Sequence, residues 1–94
     1  MADVALQARI QGRVQGVGFR HFVLEKAQRL DLVGYVQNLA DGDVAVFAEG
    51  DEEDLKKLEK FLNRGPFMAR VTQVKTEWKE AEGNFSTFEV KFKT

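Results

Sequence analysis

The chain contains no cysteine, which excludes disulfides, thiolate nucleophiles and thiolate metal sites together. Packing alone must hold the fold. No charge sign predominates either: 14 Lys and Arg stand against 15 Asp and Glu, a net charge of −1. That balance argues against broad, salt-dependent nucleic-acid binding, which needs a strongly basic face. No apolar run approaches the length of a membrane span, and Met1-Ala2-Asp3-Val4-Ala5-Leu6 has neither a basic start nor a long apolar stretch. The expectation is a soluble, cytoplasmic protein with no membrane partner. Histidine is scarce as well; the only one, His21, reads as a surface or packing residue.

What is present suffices for one core. The 94 residues form a single domain spanning 1–94, 44% of them hydrophobic, with eight phenylalanines. A chain of this size buries only about two-thirds of its unfolded surface, so any site must be shallow and built from few side chains. A monomer is expected, although a small sheet leaves edges exposed.

Hydrophobic periodicity sets out the elements. Val4, Leu6, Ala8 and Ile10 alternate with Gln7 and Arg9, the pattern of a half-buried strand. Phe19, Phe22, Val23, Ala27 and Leu30 recur at helical steps, and Gly34 reads as a helix stop or strand start. Strands follow at about 34–39 and 43–49, separated by Asp41-Gly42, a strong hairpin signal. Asp51, Glu52, Glu53 and Asp54 precede Lys56, Lys57 and Lys60, the charge order that suits a helix dipole. Leu55, Leu58, Phe61 and Leu62 supply that helix's apolar stripe, and Gly65-Pro66 ends it. Residues 69–78 read as a strand, but Val71 and Val74 fall on opposite parities, which requires a bulge or two covered faces. Residues 79–83 read as a polar loop. A last strand alternates Phe88, Val90 and Phe92 with Glu89, Lys91 and Lys93.

The order βαββαβ with a further terminal strand predicts an α+β, ferredoxin-like split βαβ sandwich: an antiparallel sheet with both helices on one face. Right-handed crossovers leave a gap between the first two strands, which the third fills. The first two strands then run parallel, and their carboxyl ends emerge at the same edge about 10 Å apart. One end leads into Gly12-Arg13-Val14-Gln15-Gly16-Val17-Gly18-Phe19-Arg20, and Asn38 lies near the other. Glycines that turn successive N–H groups inward, a helix start and an arginine make an anion cradle.

These residues resemble the acylphosphatase family. Residues 12–20 match its first signature, and Gly34-Tyr35-Val36-Gln37-Asn38-Leu39-Ala40-Asp41-Gly42-Asp43-Val44, continuing to Gly50, matches its second. The likeness covers essentially the whole chain. It implies hydrolysis of the carboxyl–phosphate bond of small acyl phosphates, with no metal and no organic cofactor. By the same resemblance the backbone N–H groups of Gln15, Gly16, Val17, Gly18 and Phe19 hold the phosphate together with Arg20. Asn38 orients the attacking water, so Arg20 and Asn38 are the implied catalytic pair.

The chemistry suits these residue types. An acyl phosphate is an activated anhydride, so position and charge stabilisation matter more than a strong nucleophile. Val14 stands where a cysteine phosphatase would carry its nucleophile, six residues before the arginine, and the cradle motif holds no carboxylate. The acids at 41, 43, 49 and 51–54 lack calcium-loop spacing; Tyr35 and Trp78 read as packing residues. Two rivals remain on the same fold. An RNA-binding module would need a basic, aromatic-stacked sheet face, which the pattern does not show, and a non-catalytic acyl- or carbamoyl-phosphate binding domain would bind without turnover.

Overall fold

The alternation at the start of the chain is carried through as drawn: Leu6, Ala8 and Ile10 are buried while Gln7 and Arg9 stay exposed. The computed structural model describes residues 3–92; Lys93, assigned above to the last strand's polar set, lies outside them. The elements are β1 (Val4–Arg13), α1 (Phe19–Arg29), β2 (Val33–Asn38), β3 (Val44–Gly50), α2 (Glu52–Arg64), β4 (Arg70–Glu80) and β5 (Phe88–Lys91). Both ladder strands outrun their apolar pattern. β1 continues to Arg13 because β4 pairs with it down to Arg70, so backbone hydrogen bonds extend it past Ile10.

The helices end differently. α2 starts at Asp51, whose carboxylate accepts from the Glu53 N–H, and closes where the Gly65 N–H returns to the Phe61 carbonyl. α1 stops at Asp31 rather than at Gly34. Asp31 takes a left-handed φ of 56°, its N–H bonds the Gln28 carbonyl, and the Leu32 N–H reaches back to Ala27 at 2.9 Å, a Schellman closure. Gly34 has another task, inside β2. A Cβ built there would lie 1.9 Å from the Phe47 carbonyl oxygen, so β2 and β3 meet there at a distance only glycine permits.

The strand order is β4-β1-β3-β2-β5, and β3 sits between β1 and β2, antiparallel to each. The split βαβ arrangement is thus as expected. One detail is corrected: β5 pairs parallel with β2, Gly34 opposite Phe88 and Val36 opposite Val90, so the five-stranded sheet is mixed. The parity conflict in β4 resolves as a bulge. Gln11 pairs with Gln73 and Gly12 with Val71, so Thr72 is the extra residue and Val71 returns to the face that holds Val74. Both valines pack against the core, which Leu6, Ile10, Phe19, Val23, Val46, Leu55, Leu58 and Leu62 fill between sheet and helices.

β4 and β5 occupy opposite edges, so the chain between them must cross the sheet. Four strand spacings take up about 19 Å, and the 81–87 segment reaches about 25 Å when extended; its path is therefore nearly direct. It crosses the face away from the helices. Glu49, only 3% exposed, accepts the Glu82 and Gly83 N–H groups at 2.6 and 3.2 Å. Phe85 lies 5.6 Å from the Phe47 ring and 5.9 Å from Tyr35. The second face therefore does carry stacked aromatics, with Lys91 4.2 Å over Tyr35, contrary to the sequence reading. The rings mostly cover one another. Not every aromatic is packed: Trp78, Phe67 and Phe92 are 40%, 98% and 71% exposed.

Gly34→Ala should lower stability by at least about 2 kcal/mol, since the new Cβ meets a carbonyl and a φ of 134° is strained for alanine. The urea midpoint is the measurement; an unchanged midpoint would mean that β2 and β3 part there without cost.

Candidate active site

Because β1 and β2 run parallel on either side of β3, their carboxyl ends lie at one edge of the sheet. From there β1 leads through 14–18 into α1, and β2 ends on Asn38, opposite Val44. Gly16 and Gly18 take φ of 74° and 81° with open space where a Cβ would stand. Conformation, not crowding, is what asks for glycine at these two places. Val14 between them and β1 is buried and anchors the loop to the core.

The start of α1 is left open. Its N-cap is Gly18, which offers no side-chain acceptor, and the first turn contains no acid. The N–H groups of Phe19, Arg20 and His21, which a helix cannot satisfy internally, find no acceptor among the described residues. α2, by contrast, begins with Asp51 as cap and Glu52, Glu53 and Asp54 in its first turn. Arg20 adds a full positive charge where the dipole is already positive, an unfavourable placement unless an anion offsets it. Among the described residues it has no carboxylate partner; its nearest special contact is the Phe92 ring, 5.5 Å from the guanidinium carbon.

Gly16, Gly18, Phe19, Arg20 and Asn38 line one hollow of about 280 Å³. Across it from the loop, Asn38 Oδ1 is buried and has no hydrogen-bond partner among the described residues. An unpaired buried acceptor costs about 1–3 kcal/mol, so this atom marks a place where a donor belongs. The other two expected residues do not line the hollow. Val17 packs against the core and is half-buried. The Gln15 amide donates to the Leu39 and Asp43 carbonyls at 2.8 and 2.9 Å, tying the loop to the β2–β3 turn. That turn is itself braced, since Asp41 Oδ1 accepts the Asp43 N–H and Arg9 pairs with both Asp41 and Asp43. The Asp43 N–H, and with it the Arg9 charge, holds the Asp41 carboxyl below its ordinary range.

Val14, His21, Leu24, Val90 and Phe92 complete the lining. Periodicity drew Val90 and Phe92 into a strand and gave no sign that they meet Leu24 at the cradle. A larger hollow of about 670 Å³ beside Trp78 is lined by Asp3, Glu52 and Glu80 with Lys79, a net negative lining that disfavours an anion. No group of three His, Cys, Asp or Glu side chains gathers as metal ligands would among the described residues.

Comparison with known proteins points the same way. The family model described as Acylphosphatase matches residues 6–90. An acylphosphatase of Caldanaerobacter subterraneus is 48% identical over 82 residues, covering 87% of this chain and 91% of that protein. The crystal structure of the Bacillus subtilis acylphosphatase superposes with a TM-score of 0.89 at 32% identity, covering 93% and 97% of the two chains. HypF from T. kodakarensis matches with a TM-score of 0.81 and 35% identity; 94% of this chain corresponds to 12% of that one.

Inorganic phosphate titrated into labelled protein should shift the backbone amides of residues 16–20 and the Asn38 side-chain amide before any others. Shifts confined to the 57–64 face of α2 would place the anion elsewhere.

Proposed function

Since the chain belongs to the acylphosphatase family, we propose that it hydrolyses the carboxyl–phosphate bond of small acyl phosphates in the hollow between the 15–20 loop and Asn38. The observation that carries this reading is the pairing of an uncapped, arginine-bearing helix start with an orphaned carboxamide oxygen across one hollow. One half suits a phosphate, the other a water.

The phosphoryl oxygens sit against the N–H groups of residues 15–19 and the first turn of α1, and Arg20 forks onto two of them. These donors stand in place before substrate arrives, so they stabilise the spreading transition-state charge without reorganising. Asn38 Oδ1 accepts a hydrogen bond from the attacking water and aims its oxygen at phosphorus. The new P–O bond forms as the bond between phosphorus and the acyl oxygen breaks, and the carboxylate leaves with that electron pair. The water's proton passes to a phosphate oxygen, so an acyl phosphate dianion and water give a carboxylate and dihydrogen phosphate. No protein group has to change protonation.

In this reading residues 1–94 act as a single domain and a cytoplasmic monomer, with no cofactor and no nucleic-acid partner. All the proposed groups come from one chain, no helix among the described residues is long and apolar enough to cross a membrane, and the charge balance disfavours a polyanion. The HypF likeness keeps a second reading in view, in which the cradle binds an acyl or carbamoyl phosphate without turning it over.

Benzoyl phosphate mixed with the protein in EDTA separates the two. Turnover is expected, with Arg20→Ala and Asn38→Ala each losing about 100- to 1000-fold in kcat. Saturable binding with no release of phosphate would favour the binding domain, and full activity in both variants would move the chemistry away from this hollow.

A further inference from the structure

The turn that joins α2 to β4 carries Phe67, the most exposed large apolar side chain among the described residues. The Ala69 N–H closes on the Pro66 carbonyl at 3.0 Å, which puts Phe67 and Met68 at the two central positions of a tight turn. Glycine, asparagine and aspartate usually fill such places. Here a phenylalanine stands 98% exposed and a methionine 59%, and neither belongs to the core.

The surface beside this tip is basic. Lys57, Lys60, Phe61 and Arg64 follow one another at helical spacing on α2 and line one hollow; Arg64 also lines the next, with Phe22, Pro66 and Phe67. Lys26 joins them from α1, its ammonium 4.7 Å from the Phe61 ring centre. Neither hollow contains a carboxylate. Lys57 has one acidic neighbour, Asp54 at 4.0 Å, whereas Lys26, Lys60 and Arg64 have no carboxylate partner among the described residues. At the start of β4, exposed Arg70 pairs opposite exposed Arg13, a like-charge pair that costs stability unless an anion lies close. The chain as a whole is nearly neutral, so the cations here are a local excess. Acids gather instead around Trp78, where Asp3, Glu52 and Glu80 line a hollow at the far end of the same strand, roughly 30 Å away.

We propose that the Pro66–Ala69 turn, with Lys26, Lys57, Lys60 and Arg64, is a docking surface for an anionic lipid bilayer. Phe67 and Met68 enter the boundary of the acyl chains while the four cations meet the headgroups. A ring that stands this clear of its own protein is a wedge, and a bilayer takes a wedge without any matching shape; a protein partner would have to supply a pocket for it. Each cation near an anionic surface strengthens partitioning about fivefold, and the attraction is screened by salt. Such contact needs no spanning segment, so the expectation of no membrane partner, drawn from the lack of a long apolar run, does not bear on it. Gly65 packs beside Phe19 at the start of α1, so the docked end is also the one that bears the candidate site. The docking itself does not depend on the catalytic reading.

The test is co-sedimentation of the full chain with vesicles of phosphatidylcholine alone or mixed with an equal part of phosphatidylglycerol. Binding is expected on the mixed vesicles at low salt, and should be at least about tenfold weaker in 0.5 M NaCl or on phosphatidylcholine alone. Lys60→Gln with Arg64→Gln should weaken it about 25-fold, and Phe67→Ser with Met68→Ser at least about tenfold, both with the melting midpoint unchanged. Lys79→Gln, at the acidic end, should leave binding as it was. Phe67→Trp in a Trp78→Phe background should shift its emission to the blue when the mixed vesicles are added, and this decides the matter if either paired variant fails to fold. No binding to the mixed vesicles at low salt would overturn the proposal and leave the tip to a protein pocket. Binding that survives both paired variants, or an unshifted emission at position 67, would overturn it too.

Discussion

β3 lies between two strands that run parallel to each other, and much of the molecule follows from that insertion. Val44, Val46 and Ala48 turn to the helices and Phe47 and Glu49 to the opposite face, and all are buried, so β3 is covered on both sides. A right-handed crossover through each helix is the favoured way to make the parallel pairs. It brings the carboxyl ends of β1 and β2 to one edge, about 10 Å apart. The anion loop and Asn38 therefore face each other because of backbone hydrogen bonding, without any direct bond between them.

Polar groups left unpaired at that edge are unusual in so small a protein. The open first turn of α1, an arginine set against the helix dipole and the buried Asn38 Oδ1 each cost folding free energy that a bound ligand and water would recover. α2 shows the ordinary arrangement, with its own carboxylate as cap and its own acids in the first turn. Bracing elsewhere holds the unpaired groups in place. Gln15 ties the loop to the β2–β3 turn, Arg9 clamps that turn from β1, and Val14 and Phe19 pin both ends of the loop in the core. Preorganisation of this kind lets donors meet a developing charge without moving.

The opposite face of the sheet has a different logic. Joining β4 at one edge to β5 at the other forces 81–87 across the sheet, and a buried carboxylate receives its amides at Glu82 and Gly83. The same crossing delivers β5 alongside β2, and with it Val90 and Phe92 to the rim of the hollow. The apolar wall of the candidate site is in this sense a product of the chain's last connection.

Local patterns carried much of this. Period-two and helical spacings identified every element, opposite parities at Val71 and Val74 left a bulge or two covered faces, of which the pairing with β1 selects the bulge at Thr72, and the contiguous 12–20 stretch read as an anion cradle because its parts are neighbours in sequence. Features set by distant partners were out of reach. Asp31 closes α1 because the backbone there accepts a left-handed turn; Gly34 is needed for the approach of Phe47, a residue on another strand. Gln15 turned out to brace the loop through its side chain, since the carbonyls it reaches belong to Leu39 and Asp43. By itself the sequence determined the elements, the split βαβ order and the chemical character of the loop, all of which depend on residues within a few positions of one another. Only the tertiary structure decided that Asn38 Oδ1 is buried and unpaired, that the last strand runs parallel to β2 and that Phe92 stands over Arg20, because each of these is fixed by strand pairing and packing between segments far apart in the chain.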